Sequence, residues 1–403
     1  MRYLFLLLFI HSYAYSIGDK VRNSAYEQIE KFKNIKLSQE EIDNIWNDKE
    51  IRNKYRLARI QIINNKVYAD SYDIRDGMLL DFVLYFKKLV SRYKIKNTDI
   101  LIHCLEGFYT EEKFPLPSFM VTKNLKNIGE KDRLLLPDAT FIRENIWKDL
   151  TASILEANKN NPWDKKLDRI FWRGKTTGGD QAVYNINNIA KLPRLKVVLL
   201  SSLYPNLIDA KFTSYPRFYF EENSKLQEIL KLMAQGKDQK VSQKDHLKYK
   251  YLLSIDGNSS AWERVPWIMI SNSVLVKQES VNIQWFYPGL KPYYNYVPID
   301  EKIENIFSQL EWMKANDQKL QEIVENANHF VANNLMPEHI DEYASLILNE
   351  YSKLFTTKDL KPSLPSTDNI VSRMNEERFN RMSTIEKIDM YLKKLENKLE
   401  QIF

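Results

Sequence analysis

The chain has 403 residues, with 59 Lys+Arg against 53 Asp+Glu for a net charge of +6, and 44% of its residues are hydrophobic. That balance fits a folded protein and excludes a disordered chain, while 10 glycines and 14 prolines exclude collagen-like and low-complexity architectures. At about 150 residues per domain the length predicts two domains, with one large domain as the alternative. The basic excess is spread over Lys-rich stretches with no arginine-rich tract or zinc-finger spacing, so no nucleic-acid partner is expected. A single cysteine, Cys104, excludes an intrachain disulfide and any Cys cluster for zinc.

In chain order, Met1-Arg2 precedes the apolar run Tyr3 to Ile10, and Ala14 and Ser16 stand where small residues precede a signal-peptidase cut. Residues 1–16 therefore read as a possible signal peptide, with a buried first helix as the alternative. No later run approaches the roughly 20 apolar residues of a membrane span. Ser24 to Asn53 is charged and helical, and Leu57 to Tyr72 alternates around Asn64-Asn65 as a hairpin does. Asp76 to Tyr93 carries apolar residues at helical spacing and leads into a strand-like run, Ile100 to Leu105. The same helix-to-strand alternation predicts strands at Leu195 to Leu200, Tyr251 to Ile255 and Val274 to Val276, the last after a helical Trp262 to Ile270. Repeated alternation favours α/β architecture with doubly wound parallel sheets, whose ligands bind beyond the carboxyl ends of strands. Thr356 to Asn369 reads as a linker within 356–382. Ile385, Ile388, Leu392, Leu395, Leu399 and Ile402 then form a short amphipathic helix over 383–403, opened by a Ser383/Glu386 capping box. That helix serves either a homodimer or packing on the protein's own body.

Three strand-to-loop junctions hold the unusual residues. Three of the ten glycines, Gly174, Gly178 and Gly179, fall in FWRGKTTGGD, with Arg173, Lys175, Thr176 and Thr177 beside them. Backbone N–H groups exposed by glycine, a planar guanidinium and two hydroxyls make a plausible phosphate cradle, though a plain glycine turn accounts for the same cluster. In YLLSIDGNSSAWERV a strand ends at Asp256-Gly257, followed by Asn258, Ser259 and Ser260. A helix is expected near Ala261 and Trp262, with Arg264 in its first turn to neutralise charge on a departing diphosphate. Helix capping by Ser259 or Ser260 is compatible with that role. Glu106, after ILIHCL and before Gly107, stands where a general base would meet an acceptor hydroxyl, or is a solvated loop carboxylate. The aromatic segment at Trp285, Phe286 and Tyr287 offers faces for a sugar or acceptor, or packs in the core. No D-x-D sequence occurs and the five histidines show no ligand pairing, so no metal is expected. The G-x-S-x-G elbow of Ser-His-Asp hydrolases is also missing.

From about Asp99 to Leu354 the chain resembles glycosyltransferase family 90, the Rumi-type protein O-glucosyltransferases and their capsule-associated and lipopolysaccharide-modifying relatives. The resemblance is carried by FWRGKTTGG, PNLIDAKFT, HLKYKYLLSIDGNSSAWER, WFYPGLKPYYNYVPI and MKANDQKLQEI, in that order. It implies a GT-B-like fold of two Rossmann-like doubly wound domains facing a cleft, with a C-terminal helical extension. An acceptor-side domain over 17–165 and a nucleotide-sugar-binding domain over 166–355 are expected. It also implies inverting, metal-independent transfer of glucose or xylose from a UDP-sugar, with no cofactor, to a glycan or protein serine. By position the family's strand-end acid falls on Glu106, its R-G loop on Arg173 and Gly174, and its donor turn on Asp256 to Arg264. Rumi-type members usually carry Asp where this chain has Glu106, which motivates the alternative of a catalytically impaired sugar-nucleotide or glycan-binding protein. The expected location is a secretory lumen in a eukaryote, or the cytoplasm or membrane periphery in a bacterium. The ending EQIF is not a retention signal.

Overall fold

The computed structural model describes residues 17–73, 77–104, 112–143, 145–178, 192–214, 228, 231–233, 241–367 and 372. The signal-like segment 1–16, Glu106, Gly179 and the seam from Ile385 to Ile402 lie outside them. The chain divides into two compact units, Met1–Asn34 with Leu105–Glu350 and Ile35–Cys104 with Tyr351–Phe403. Among the described residues no helix is long and apolar enough to cross a membrane.

The charged stretch near the start forms α1 (Asp19–Glu30), which belongs to the larger unit, and α2 (Gln39–Asn47) and α3 (Lys49–Lys54) of the smaller one. Ser38 and Glu41 close a reciprocal capping box on α2, and the Asp48 carboxylate accepts from the first N–H groups of α3. The expected hairpin is present as β1 (Leu57–Ile63) and β2 (Lys66–Ser71), antiparallel with Ile63 opposite Lys66. Asn64 and Asn65 take φ of 53° and 60°, the left-handed pair that a two-residue turn needs. The helix expected after it is α4 (Gly77–Arg92), followed by β3 (Thr98–His103), antiparallel to β1. These three strands are therefore not the parallel layer that helix-strand alternation suggested. A two-residue connection can join only antiparallel neighbours, and β3 takes the free edge of β1.

Arg59 and Gln61 lie on one face of β1, and both reach Asp99 on β3. Arg59 Nε and Nη2 donate to the two carboxylate oxygens at 2.8 and 2.6 Å, and Gln61 Nε2 donates to Oδ2 at 2.7 Å. Asp43 of α2 adds a 2.7 Å ion pair to Arg59, whose side chain is 1% exposed. The linker-like residues after Phe355 lie along this unit: Ser363 N donates to Gln61 Oε1, Pro365 O accepts from Ala69 N, and Thr367 Oγ1 donates to Val67 O. Two prolines, Pro362 and Pro365, keep the stretch extended while it pairs backbone groups on the edge of β2.

The larger unit adds short strands β4 (Phe119–Met120), β5 (Lys123–Asn124) and β6 (Leu134–Leu135), then helices α5 (Ala139–Ile142) and α6 (Ile146–Lys159). Next come β7 (Leu167–Lys175), α7 (Pro193–Leu203), β8 (Ile208–Ser214), α8 (Gln243–His246), β9 (Tyr249–Ser254), α9 (Arg264–Ile270) and β10 (Val274–Gln278). The short strand β11 (Asn282–Ile283) pairs with β5, and β12 (Val297–Ile299), α10 (Ile306–Ala315), α11 (Asp317–Asn334) and α12 (Pro337–Tyr351) complete the described elements. Five of these strands form an all-parallel sheet in the order β12-β10-β9-β7-β8. The chain is thus a mixed α/β protein. Its core gathers Trp172, Phe212, Tyr251, Leu253, Val274 and Val276 from the strands and Leu195, Val198, Ile323 and Val324 from helices.

One expected strand is a helix. Leu195 to Leu200 belongs to α7, where Leu195, Val197 and Val198 are buried while Leu199 and Leu203 are 48% and 71% exposed. Pro193 at its first turn favours the helix, and a six-residue apolar run has no period by which to tell strand from helix. The strand lies further on, at β8. A second difference concerns Arg173 and Gly174, which are inside β7 instead of after it; against β8 the register shifts between Gly174 and Lys175.

Removing one partner of the buried ion pair leaves the other charge stranded. Asp99→Ala should lower stability by about 3–5 kcal/mol. The double replacement Arg59→Met with Asp99→Leu should cost much less than Asp99→Ala alone. Urea unfolding of the three proteins checks this, and equal losses would refute it.

Candidate functional site

Numbered along the chain, the parallel sheet has strand order 2-1-3-4-5, so the chain turns one way from β7 to β8 and the other way from β9 onward. The carboxyl ends of β7 and β9 therefore flank the point where the topology reverses, and open α/β sheets bind ligands in the crevice there. Two of the segments singled out in the sequence meet at this point: Arg173 to Gly178, the last residues of β7 and the loop beyond, and Asp256 to Arg264 after β9.

Arg264 is the first residue of α9 and donates from Nη2 to the backbone oxygen of Arg173 at 2.6 Å. Burial depresses its guanidinium pKa, and its own neighbour Glu263 only partly opposes that. The turn that delivers it is compact, with Gly257 N donating to Ser259 O and Arg264 N to Ala261 O. Trp262 takes a φ of 50°, an outlier for so bulky a residue. The helix starts three residues later than the expected position at Ala261.

Arg194, on α7, was not anticipated. It is 8% exposed, and its guanidinium reaches across the switch point. Nη1 donates to Lys175 O at 3.1 Å and Thr177 Oγ1 at 2.6 Å, and Nη2 donates to Ile255 O at 3.0 Å. Burial, with the nearby positive charge of Arg264, pulls its pKa down to about 9. The only sequence signal was an arginine, with Lys196 two residues on, at the start of an apolar run, PRLKVVLL.

Close packing constrains the two loops. A Cβ on Gly257 would stand 3.0 Å from Arg194 Nη2, and Gly178, at φ 116°, lies against the Asp256 and Gly257 carbonyl oxygens. Asp256 accepts from Ser280 Oγ and from Asn282 Nδ2 at 3.0 Å, and burial raises its pKa against the lowering effect of Lys277. Thr176 Oγ1, Ser259 Oγ and Ser260 Oγ are buried without a partner among the described residues. Uncompensated cations and unpaired hydroxyls together make a site suited to an anion bearing several oxygens.

Other expected residues are placed differently. Arg173 spends its guanidinium internally, pairing with Asp209 at 2.8 Å and stacking 4.2 Å over Phe171; it touches the site through its carbonyl oxygen. Gly174 is half-buried beside Trp172, Lys175 is exposed and Asn258 is half-buried. Trp285 and Phe286 are fully buried in an aromatic cluster with Phe141, so neither turns a ring face to solvent. Tyr287 is 8% exposed, and its hydroxyl has no partner among the described residues. Burial holds its pKa well above the ordinary value, with Asp256 adding to the effect. Lys277 sits 5.0 Å over its ring.

The fold and this site define a mixed α/β protein with two arginine side chains and unpaired hydroxyls gathered at its switch point. The chain belongs to glycosyltransferase family 90, whose model matches residues 24–388. It is 27% identical to protein O-glucosyltransferase 3 of Mus musculus over 311 residues, covering 74% of this chain and 56% of that protein. It is 24% identical to protein O-glucosyltransferase 2 of Danio rerio over 321 residues, covering 75% and 57%. It is 27% identical to protein O-glucosyltransferase 1 of Homo sapiens over 210 residues, covering 52% and 48%. The matched region thus spans about half the length of these curated relatives.

Beside the site, His246 of α8 packs edge-on to Phe171 and Trp267 at 4.7 and 5.4 Å, with Nδ1 on Ser242 O. Burial, with Arg264 and Arg173 nearby, lowers its pKa from 6.5 to about 4. Between those values the unfolded chain carries a proton that the folded one does not. Stability present above pH 6.5 is therefore lost as pH falls towards 4. The full loss is about 3 kcal/mol. His246→Phe should remove this share of acid sensitivity, measured as the difference in unfolding free energy between pH 7 and pH 4; an unchanged difference would exclude His246 as its source.

Proposed function

We propose that the chain is an inverting, metal-independent glycosyltransferase that moves glucose or xylose from a UDP-sugar to a hydroxyl acceptor, either a glycan such as lipopolysaccharide or capsule, or a protein serine. The observation that carries the reading is Arg264, a half-buried cation with no carboxylate partner among the described residues, in the turn that also carries the unpaired hydroxyls of Ser259 and Ser260. In this reading 166–355 is the donor-binding domain of a GT-B arrangement and 17–165 the acceptor side.

The chemistry follows from those roles. Glu106 takes the proton of the acceptor hydroxyl, whose oxygen attacks the anomeric carbon from the face opposite the diphosphate. The bond from that carbon to the donor oxygen breaks, and its electron pair leaves on the β-phosphate. Arg264 neutralises the charge that develops there, where low polarity makes the interaction stronger than in water. Arg173 supports Arg264 through its carbonyl oxygen, and Asp256, tied to Ser280 and Asn282, holds the turn.

Calorimetric titration of UDP in excess EDTA tests the site. Binding should persist under chelation, and Arg264→Ala should weaken it by about 1.5–3 kcal/mol, the range for a hydrogen bond to a charged group. Loss of wild-type binding in EDTA would overturn metal independence, and an Arg264→Ala protein of unchanged affinity would remove Arg264 from the mechanism. Glu106→Gln should bind UDP normally and fail to transfer; full transfer would sink the base assignment.

A further inference from the structure

Arg194 joins both halves of the switch point from a third element, α7. Its two terminal nitrogens take three oxygens, two from the loop after β7 and one from the end of β9. All three acceptors are neutral, so the fork is satisfied in geometry but not in charge. The nearest acid acting on it, Asp256, is already held by Ser280 and Asn282. Its Nε is buried and unpartnered among the described residues.

The surroundings are shaped to this arrangement. Gly257 leaves room for Nη2, since an added Cβ would approach it to 3.0 Å, and the guanidinium carbon lies 5.5 Å over the Trp172 ring. Arg264, the second cation of the site and half-buried, is close enough to disfavour the charge on Arg194. A structural clamp alone would need hydrogen bonds; it would not need an unneutralised charge kept beside another of the same sign. A helix residue serving only the core would be apolar at this position, as Leu195, Val197 and Val198 are.

We infer that Arg194 is a positioning residue for the donor diphosphate: it locks the Lys175–Thr177 loop to the Ile255–Gly257 turn, and its charge is balanced when a diphosphate binds beside Arg264. The inference rests on the proposed nucleotide-sugar site. It goes beyond it in assigning discrimination between one phosphate and two to a residue outside both loop motifs. A monophosphate holds its charge of about −2 on one phosphorus, whereas a diphosphate spreads charge over two and so can meet both guanidinium groups. A lysine in this place would keep the charge but lose the planar fork that spans three oxygens.

The test compares calorimetric affinities for UDP and UMP in the full chain and its variants. The wild type should prefer UDP strongly, Arg194→Met should bring the two nucleotides to within about threefold, and Arg194→Lys should fall between, since a retained charge restores part of the preference. A role in folding alone would lower the melting temperature and leave the UDP-to-UMP ratio unchanged. If Arg194→Met does not fold, Thr177→Val decides, because it removes one acceptor of the clamp and should lower the ratio in the same direction. A wild type that prefers UDP while Arg194→Met, or Thr177→Val in its place, keeps that preference overturns this inference and leaves the proposed function standing. A wild type that binds neither nucleotide overturns both.

Discussion

Burying a guanidinium without a carboxylate costs several kcal/mol even after solvent and structure relax. The larger unit bears that cost at the buried Arg194 and in part at the half-buried Arg264, where the ends of β7 and β9 meet. Neither cation sits there by accident of packing. Arg264 opens α9 and is fixed by the Arg173 carbonyl oxygen, and Arg194 is fixed by three oxygens on loops from two strands. The all-parallel sheet makes this possible, because fully buried strands such as β10 hold the loop origins rigid while the reversal between β7 and β9 keeps the gap between them.

Elsewhere the same chain pairs its buried arginines. Arg59 meets Asp99 through two parallel hydrogen bonds and Asp43 through a third, and Arg173 meets Asp209. Each of these guanidinium groups thus has at least one carboxylate of its own, and none is left with an uncompensated positive charge. The contrast separates arginines that build the fold from arginines held in reserve for something else. It also explains why Arg173 and Arg264, close in space and both prominent in the sequence, take different parts: one has a carboxylate and the other does not.

Much of the fold was legible because local chemistry dictated it. Asn64-Asn65 could only be a tight turn, and the apolar spacing from Leu79 to Leu89 only a helix face. The runs around Leu252 and Val274 were buried strands bounded by polar turns. The run Leu195 to Leu200 misled because an apolar stretch that short lacks a period, and β8 escaped because Ile208, Ala210 and Phe212 alternate with Asp209 and Lys211 and so form no continuous apolar run. In the site, the glycine clusters could be read since backbone approach and left-handed φ restrict residue choice. Arg194 could not, because its meaning arises only where a helix from one crossover meets loops from two strands. The aromatic segment was ambiguous for a similar reason: sequence records that Trp285 and Phe286 are large and apolar, not whether a ring such as Phe141 covers them.

The shape of the turn after β9 decides what kind of anion recognition is available. α9 has seven residues, and Arg264 is the first of them, so the helix contributes only a short stack of peptide dipoles. Recognition must then come from side chains: two guanidinium groups, with the hydroxyls of Thr176, Ser259 and Ser260. A helix end accepts many anions that fit its N–H groups, whereas cations anchored on separate loops require charge at matching places. Anchoring also ties recognition to loop position, because Arg194 contacts the same segments that carry Thr177 and Gly257. An anion that balances Arg194 thus stabilises the register of both loops at once, and the positive φ of Trp262, costly in isolation, is held by the same closed turn.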